Sequence, residues 1–137
     1  MAIEYRVNHP ISAQQFVELL RHSTLAERRP VDDMECMQGM VENGNLSVTA
    51  WSGDQLVGLA RSVTDFHYCC YLSDLAVHRD FQRLGIGRRL QSLTKGQLGP
   101  RCQLILLAAP AANDYYPRLG YSNNPRCWIL APEQSVD

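Results

Sequence analysis

The chain has 137 residues, 45% of them apolar and 20% charged, with a formal net charge of -1. That is enough chain for one buried core and too little for two, so a single domain over residues 1–137 is expected, and the composition excludes a disordered chain. A charge this close to zero provides no global field for nucleic acid or an anionic membrane, and neither is expected as a partner.

The opening "MAIEYRV" lacks the basic leader and long apolar run of a secretory signal, which makes a cytoplasmic location the expectation. Residues 3–7 read as a short strand. In "PISAQQFVELL" a helix opens, with Ser12 and Gln15 spaced as a capping box and Ile11 placed to staple against Phe16. A second helix is predicted from about Asp32 to Asn43, with Met34, Met37 and Val41 on one face and Gly44 at its end. Two strands follow, "NLSVTAW" and "QLVGLARSV", joined through "SGD" as a hairpin, and then a third, "YCCYLSDLAV" over 68–77.

Downstream, Ile86, Leu90 and Leu93 recur at helical spacing, predicting a helix that ends near Gly99-Pro100. "CQLILLAA" reads as a buried strand, "PAANDYYPRLG" as a short helix and "YSNNPRCWIL" as a final strand or hairpin. The longest apolar stretch, Leu104 to Ala112, is interrupted by Pro110 and is far too short to span a membrane. The order implies an α+β domain built on one mixed, mostly antiparallel sheet flanked by helices.

Five cysteines, Cys36, Cys69, Cys70, Cys102 and Cys127, form no C-x-x-C pair, and the four histidines are scattered. Structural free thiols and no metal are therefore expected.

The segment "VHRDFQRLGIGRRL" (77–90) sits between a strand and a helix. Gly85 and Gly87 leave the backbone bare at a helix start, where N–H groups lack intrahelical partners and the helix dipole favours an anion. Residues 79–95 also hold five of the thirteen Lys and Arg, Arg79, Arg83, Arg88, Arg89 and Lys95. An even spread would give about 1.6. A ligand with several phosphates suits this arrangement. No G-K-S/T follows, which excludes a Walker loop, and no third glycine completes a dinucleotide fingerprint.

Gln82-Arg83-Leu84-Gly85-Ile86-Gly87, preceded by "DLAV", resembles the Q/R-x-x-G-x-G/A acetyl-coenzyme A motif of the GNAT N-acetyltransferase superfamily. "YYPRLGY" (115–121) resembles that family's second signature, and the likeness covers about Leu46 to Leu130. The resemblance implies a GNAT fold in which two parallel strands, "YLSDLAV" and "QLILLAA", splay apart to admit the pantetheine arm. Backbone groups of Leu75, Ala76 and Val77 would pair with that arm. Gln82, Arg83, Leu84, Gly85, Ile86, Gly87 and Arg88 would hold the pyrophosphate, and Tyr116 would protonate the departing thiolate.

The implied activity is direct transfer of acetyl from the cosubstrate acetyl-CoA to a primary amine of a small molecule, by a monomer or homodimer. The alternative is an acyl-CoA-binding sensor without turnover, because Tyr71 and Ser73 stand where relatives often carry a base. Asp74 is turned by strand alternation to the opposite face. The remaining base candidates are a water chain, Glu35 and Asp33. The Asn common in relatives is replaced by Ala109, leaving Asn113 as the candidate coenzyme contact. The connection "LAERRPVDDMECM" (25–37) would wall the acceptor site.

Overall fold

Ser12 opens the first helix through a reciprocal pair of bonds: its Oγ accepts the Gln15 N–H at 3.0 Å, and Gln15 Oε1 accepts the Ser12 N–H at 2.9 Å. Helix α1 (Ala13–Arg21) then buries Phe16, Val17, Leu19 and Leu20. The computed structural model describes residues 2–137. Its chain divides into two compact units, one ending at Leu107 and the other running from Ala108 to Asp137.

The first unit is a five-stranded sheet in sequential order with helices packed on it. The strands are β1 (Glu4–Val7), β2 (Leu46–Ser52), β3 (Gln55–Thr64), β4 (Cys69–Val77) and β5 (Gln103–Ile105). The first four pair antiparallel and β5 lies parallel to β4. The β2–β3 hairpin closes with Gly53 at φ 57, the positive value that primed hairpin turns require.

One core cluster joins α1 and helix α2 (Met34–Asn43) to the sheet through Phe16, Leu20, Met37, Trp51 and Leu59, with Ile11 packed against it. The other joins helix α3 (Ile86–Gly96) through Ile86 and Leu90 to Val48, Val57, Ala60 and Leu72. Gly58 sets how deeply α3 seats. A Cβ there would stand 3.0 Å from Ile86 Cγ2 and 3.1 Å from Leu90 Cδ1, tighter than ordinary packing.

Five expectations are corrected. The buried strand expected over "CQLILLAA" is only the three residues of β5, with Ile105 44% exposed. Met34 is 44% exposed, and of its predicted face only Met37 is fully buried. Met34 lines a shallow depression of about 350 Å³ with Val17, Arg21 and His22. Cys36, Cys69 and Cys127 are exposed, and only Cys70 and Cys102 are buried.

In the second unit, the helix expected over "PAANDYYPRLG" is two single 3-10 turns, Pro110–Ala112 and Tyr116–Leu119. Pro110 and Pro117 each stand in the first positions of a turn and lack the N–H that a continuous helix would need. Gly120 ends the second turn at φ 98. The segment expected as a final strand has no strand assignment, with Trp128 91% exposed. Pro125 lacks a ladder donor within it.

Candidate coenzyme site

Strand β4 outruns its parallel neighbour. Pairing with β5 ends at Tyr71↔Ile105, and β4 continues for six residues, Leu72 to Val77, with no strand paired on that side among the described residues. His78 donates its N–H to Val57 O at 2.8 Å, so by antiparallel alternation the peptide groups of Ala76 face β3. Those of Leu75 and Val77 face the open side. Of the three residues expected to meet an extended amide chain there, Leu75 and Val77 have the orientation and Ala76 does not.

Beyond Val77 the chain is braced at each step until the glycines. His78 Nδ1 accepts the Asp80 N–H at 3.1 Å, His78 O accepts the Phe81 N–H at 2.8 Å, and Gln82 Nε2 donates to Val77 O at 3.2 Å. Gln82 therefore ties the loop back to the end of β4. Next come two left-handed residues, Arg83 at φ 65 and Gly85 at φ 79. Open space surrounds the place of a Gly85 Cβ, so glycine is favoured there by backbone conformation and not by crowding.

The first α3 bond runs from Arg89 N to Gly85 O. Among the described residues, the six consecutive amides from Arg83 to Arg88 have no acceptor. A left-handed residue, Gly85, followed directly by helical Ile86 is the geometry of an anion nest, and the helix end adds a positive dipole. Arg83 and Arg88 are exposed at this end, and Ile86 is buried in the core beneath it.

Not every member of the basic cluster belongs to it. Arg79 Nη2 donates to Arg21 O at 3.0 Å and its Nε to His22 O at 3.3 Å, which directs it to the C-terminus of α1. Lys95 lies in the last turn of α3, about 13 Å from Ile86 at 1.5 Å per residue. Arg89 lies close enough to Tyr5 on β1 to pull its phenol downward, against a larger upward push from burial.

Alternation would turn Asp74 to the face opposite Tyr71 and Ser73, but a bulge at Ser73 breaks it, and Asp74 Oδ2 and Ser73 Oγ both accept from Arg61. Asp74 is fully buried and accepts from Arg61 Nε through Oδ2 and from Arg29 Nε through Oδ1, both at 2.5 Å. Arg29 Nη2 also donates to Ser73 O at 2.7 Å, and Arg61 Nη2 to Ser73 Oγ at 3.1 Å. Ser73 is the extra residue of a β-bulge between the pairs Arg61↔Asp74 and Ser62↔Leu72.

Sequence reasoning missed this cluster. Its signal was an arginine and an aspartate inside two otherwise apolar strands, where burial is tolerated only with pairing. In the acceptor-side connection, Asp33 caps α2 by accepting the Cys36 N–H at 3.0 Å, Asp32 pairs with Arg21 at 3.0 Å, and Glu35 is exposed.

Within the second unit, Tyr116 is half-buried between Tyr115 and Tyr121, edge-to-face at 5.1 and 5.4 Å. Burial pushes its phenol above the ordinary 10.0. Asn113 is exposed and ends the Pro110–Ala112 turn. Among the described residues, no group of three or more His, Cys, Asp or Glu is arranged to hold a metal, and no helix is long and apolar enough to cross a membrane.

A family model described as an acetyltransferase (GNAT) domain matches residues 11–126. The chain belongs to the GNAT acetyltransferase family. An uncharacterized N-acetyltransferase, ycf52-like, of Prochlorococcus marinus is 27% identical to this GNAT chain over 116 residues, covering 80% of this chain and 63% of that protein. A second curated relative, ycf52 of Pyropia yezoensis, is 29% identical over 79 residues, 54% of this chain and 44% of its own. The chain thus spans about half to two thirds of the length of these curated relatives.

A probable acetyltransferase of Staphylococcus aureus shares the fold at a TM-score of 0.76 and 17% identity, with 97% of this chain and 100% of that one covered. The aminoglycoside N-acetyltransferase AAC(6')-Iy in complex with CoA does so at a TM-score of 0.70 and 14% identity, with coverage of 97% and 96%. The five-stranded sheet with its parallel β4–β5 pair is the GNAT fold inferred from the two motifs.

Proposed function

We propose that this GNAT domain binds acetyl-CoA and transfers the acetyl group to a primary amine of a small molecule by direct attack in a ternary complex. The observation that carries the reading is the row of six unpartnered amides, 83 to 88, directly following the open edge of β4. The nest and α3 N-terminus suit a pyrophosphate, with Arg83 and Arg88 adding charge. Leu75 offers a donor and an acceptor to an extended amide arm, and Val77 offers a donor, its carbonyl being held by Gln82.

When bound, the coenzyme supplies an activated thioester. The amine nitrogen bonds to the carbonyl carbon, the carbon–sulfur bond breaks, and the sulfur takes a proton. We assign that proton to the Tyr116 hydroxyl, which burial keeps protonated at neutral pH. The nitrogen loses its proton to water or to a side-chain base. Asn113, exposed beside the Pro110–Ala112 turn, is the remaining candidate coenzyme contact in the second unit. A cytoplasmic location, a chain acting as monomer or homodimer, and no requirement for a metal complete the proposal.

One observation favours a second reading, a sensor that binds acyl-CoA without turnover. On the accessible face of β4, Ser73 is held by Arg29 and Arg61 and Tyr71 is a poor base. Release of free thiol from acetyl-CoA, followed across a panel of amines, separates the two. Acceleration by an amine supports transfer. Tight coenzyme binding with no amine effect supports the sensor.

A further inference from the structure

The point where α1 ends is also the point where the coenzyme loop begins. His22, the C-cap of α1, donates Nδ1–H to Glu18 O at 2.8 Å, so its ring is held by its own helix. That ring stacks on His78 with centroids 4.8 Å apart and planes 9° from parallel. His78 is buried, and Phe81 meets its ring edge-on at 5.5 Å. Underneath, the His22 carbonyl accepts the Arg79 N–H at 2.8 Å and Arg79 Nε at 3.3 Å, while Arg79 Nη2 reaches Arg21 O.

A helix C-terminus carries unpaired carbonyls and partial negative charge, and a guanidinium is well matched to both. The three residues leading to the nest are therefore attached to a helix from the other end of the first unit, 57 positions away in sequence.

We propose that Arg79 and the His22–His78 stack are positioning elements that hold the coenzyme loop in its binding geometry by fastening it to α1. Arg79 touches no phosphate in this assignment. It acts through the loop, setting the direction in which the amides of 83 to 88 point. The consequence is that α1 and the coenzyme loop form one rigid piece, so coenzyme affinity depends on a contact made on the α1 side of the sheet. The proposal rests on the coenzyme reading above.

The test is calorimetric titration of coenzyme A into the folded full chain at low and high salt, for wild type, Arg79→Ala, Arg79→Lys and Arg83→Ala. Arg79→Ala is expected to weaken binding at least tenfold, by the same factor at both salt concentrations, because the lost contacts are to carbonyls. The Arg83→Ala deficit should shrink as salt rises, because a contact to phosphate is screened. Arg79→Lys, which keeps the charge but not the fork, is expected to lose about threefold. Affinity within twofold of wild type for both Arg79 variants overturns the proposal. So does a deficit that fades with salt as Arg83's does.

Amide hydrogen exchange at residues 79–81, which needs no ligand, is the second readout. Protection there should fall at least tenfold in Arg79→Ala, and unchanged protection overturns the proposal. If wild type itself binds no coenzyme A, the coenzyme reading is what fails, and exchange still decides whether Arg79 fastens the loop. Should Arg79→Ala fail to fold, Arg79→Lys carries both measurements.

Discussion

Asp74 on β4 and Arg61 on β3 stand directly opposite each other in the ladder and are joined from Nε to Oδ2 at 2.5 Å, both side chains buried. Arg29 closes the other carboxylate oxygen. Removing Asp74 strands two guanidinium groups, one of them deep in the sheet. Asp74→Ala is therefore expected to cost about 3–5 kcal/mol, read as a lower midpoint in urea denaturation. Replacing Arg61 by Met in the same chain should recover part of the loss, and a single-variant cost below about 1 kcal/mol would show the charges to be solvated.

The two glycines of the loop should fail in different ways. Gly85 has φ 79 with nothing near its missing Cβ, so Gly85→Ala should cost about 1–2 kcal/mol of stability from the left-handed conformation. Gly87 is in the first turn of α3, and Gly87→Val brings a branched side chain among the free amides. Coenzyme A affinity is expected to fall at least tenfold, about 1.4 kcal/mol, in a chain whose circular dichroism is unchanged. Unaltered affinity would remove the loop from the site.

With Arg83 and Arg88 at the nest, coenzyme A binding should weaken steadily as salt is raised from 50 to roughly 500 mM. Pantetheine, lacking the nucleotide and pyrophosphate, should bind much more weakly with little salt response. A flat response for coenzyme A would reduce these arginines to solvated surface.

Tyr116→Phe keeps the ring between Tyr115 and Tyr121 and deletes only the hydroxyl. General acid help is worth a factor of about 100 to 10,000, and water can replace some of it, so a fall in kcat of at least about tenfold is expected. The coenzyme dissociation constant should change by less than about threefold, and Tyr115→Phe should do little. Equal kcat for wild type and Tyr116→Phe, with chemistry limiting, would leave Tyr116 as a packing residue.

The same hydroxyl fixes the sign of an alkaline effect. Burial raises the Tyr116 phenol above 10.0, so the donor stays protonated through the neutral range and is lost only as pH climbs past that raised value. Wild-type kcat should therefore show a descending limb above pH 10, absent from Tyr116→Phe. A limb of the same shape in both enzymes would assign the ionisation elsewhere.

Much of this architecture was legible residue by residue. The Ser12–Gln15 box, the Gly53 turn and the Ile86–Leu90 stripe depend on neighbours within a few positions, and each formed as its local chemistry requires. The glycine loop was legible for the same reason, since a left-handed residue before an amphipathic helix is a local instruction. The prolines at 110 and 117 are local signals of the same kind: each removes a donor, and the segment forms two separate turns in place of one helix.

Spans of a few residues were enough to set the order of the elements through β5 and the two motifs that carry the family. Where each charge of the basic cluster is directed was decided only by the tertiary fold. Arg79 and Arg83 are four residues apart and chemically identical, but one meets the carbonyls of a helix that ended 57 residues earlier and the other stands beside free amides. Asp74 likewise depends on Arg29, 45 positions away. The energy of a charge is set by what surrounds it, and those surroundings exist only once distant segments are folded together.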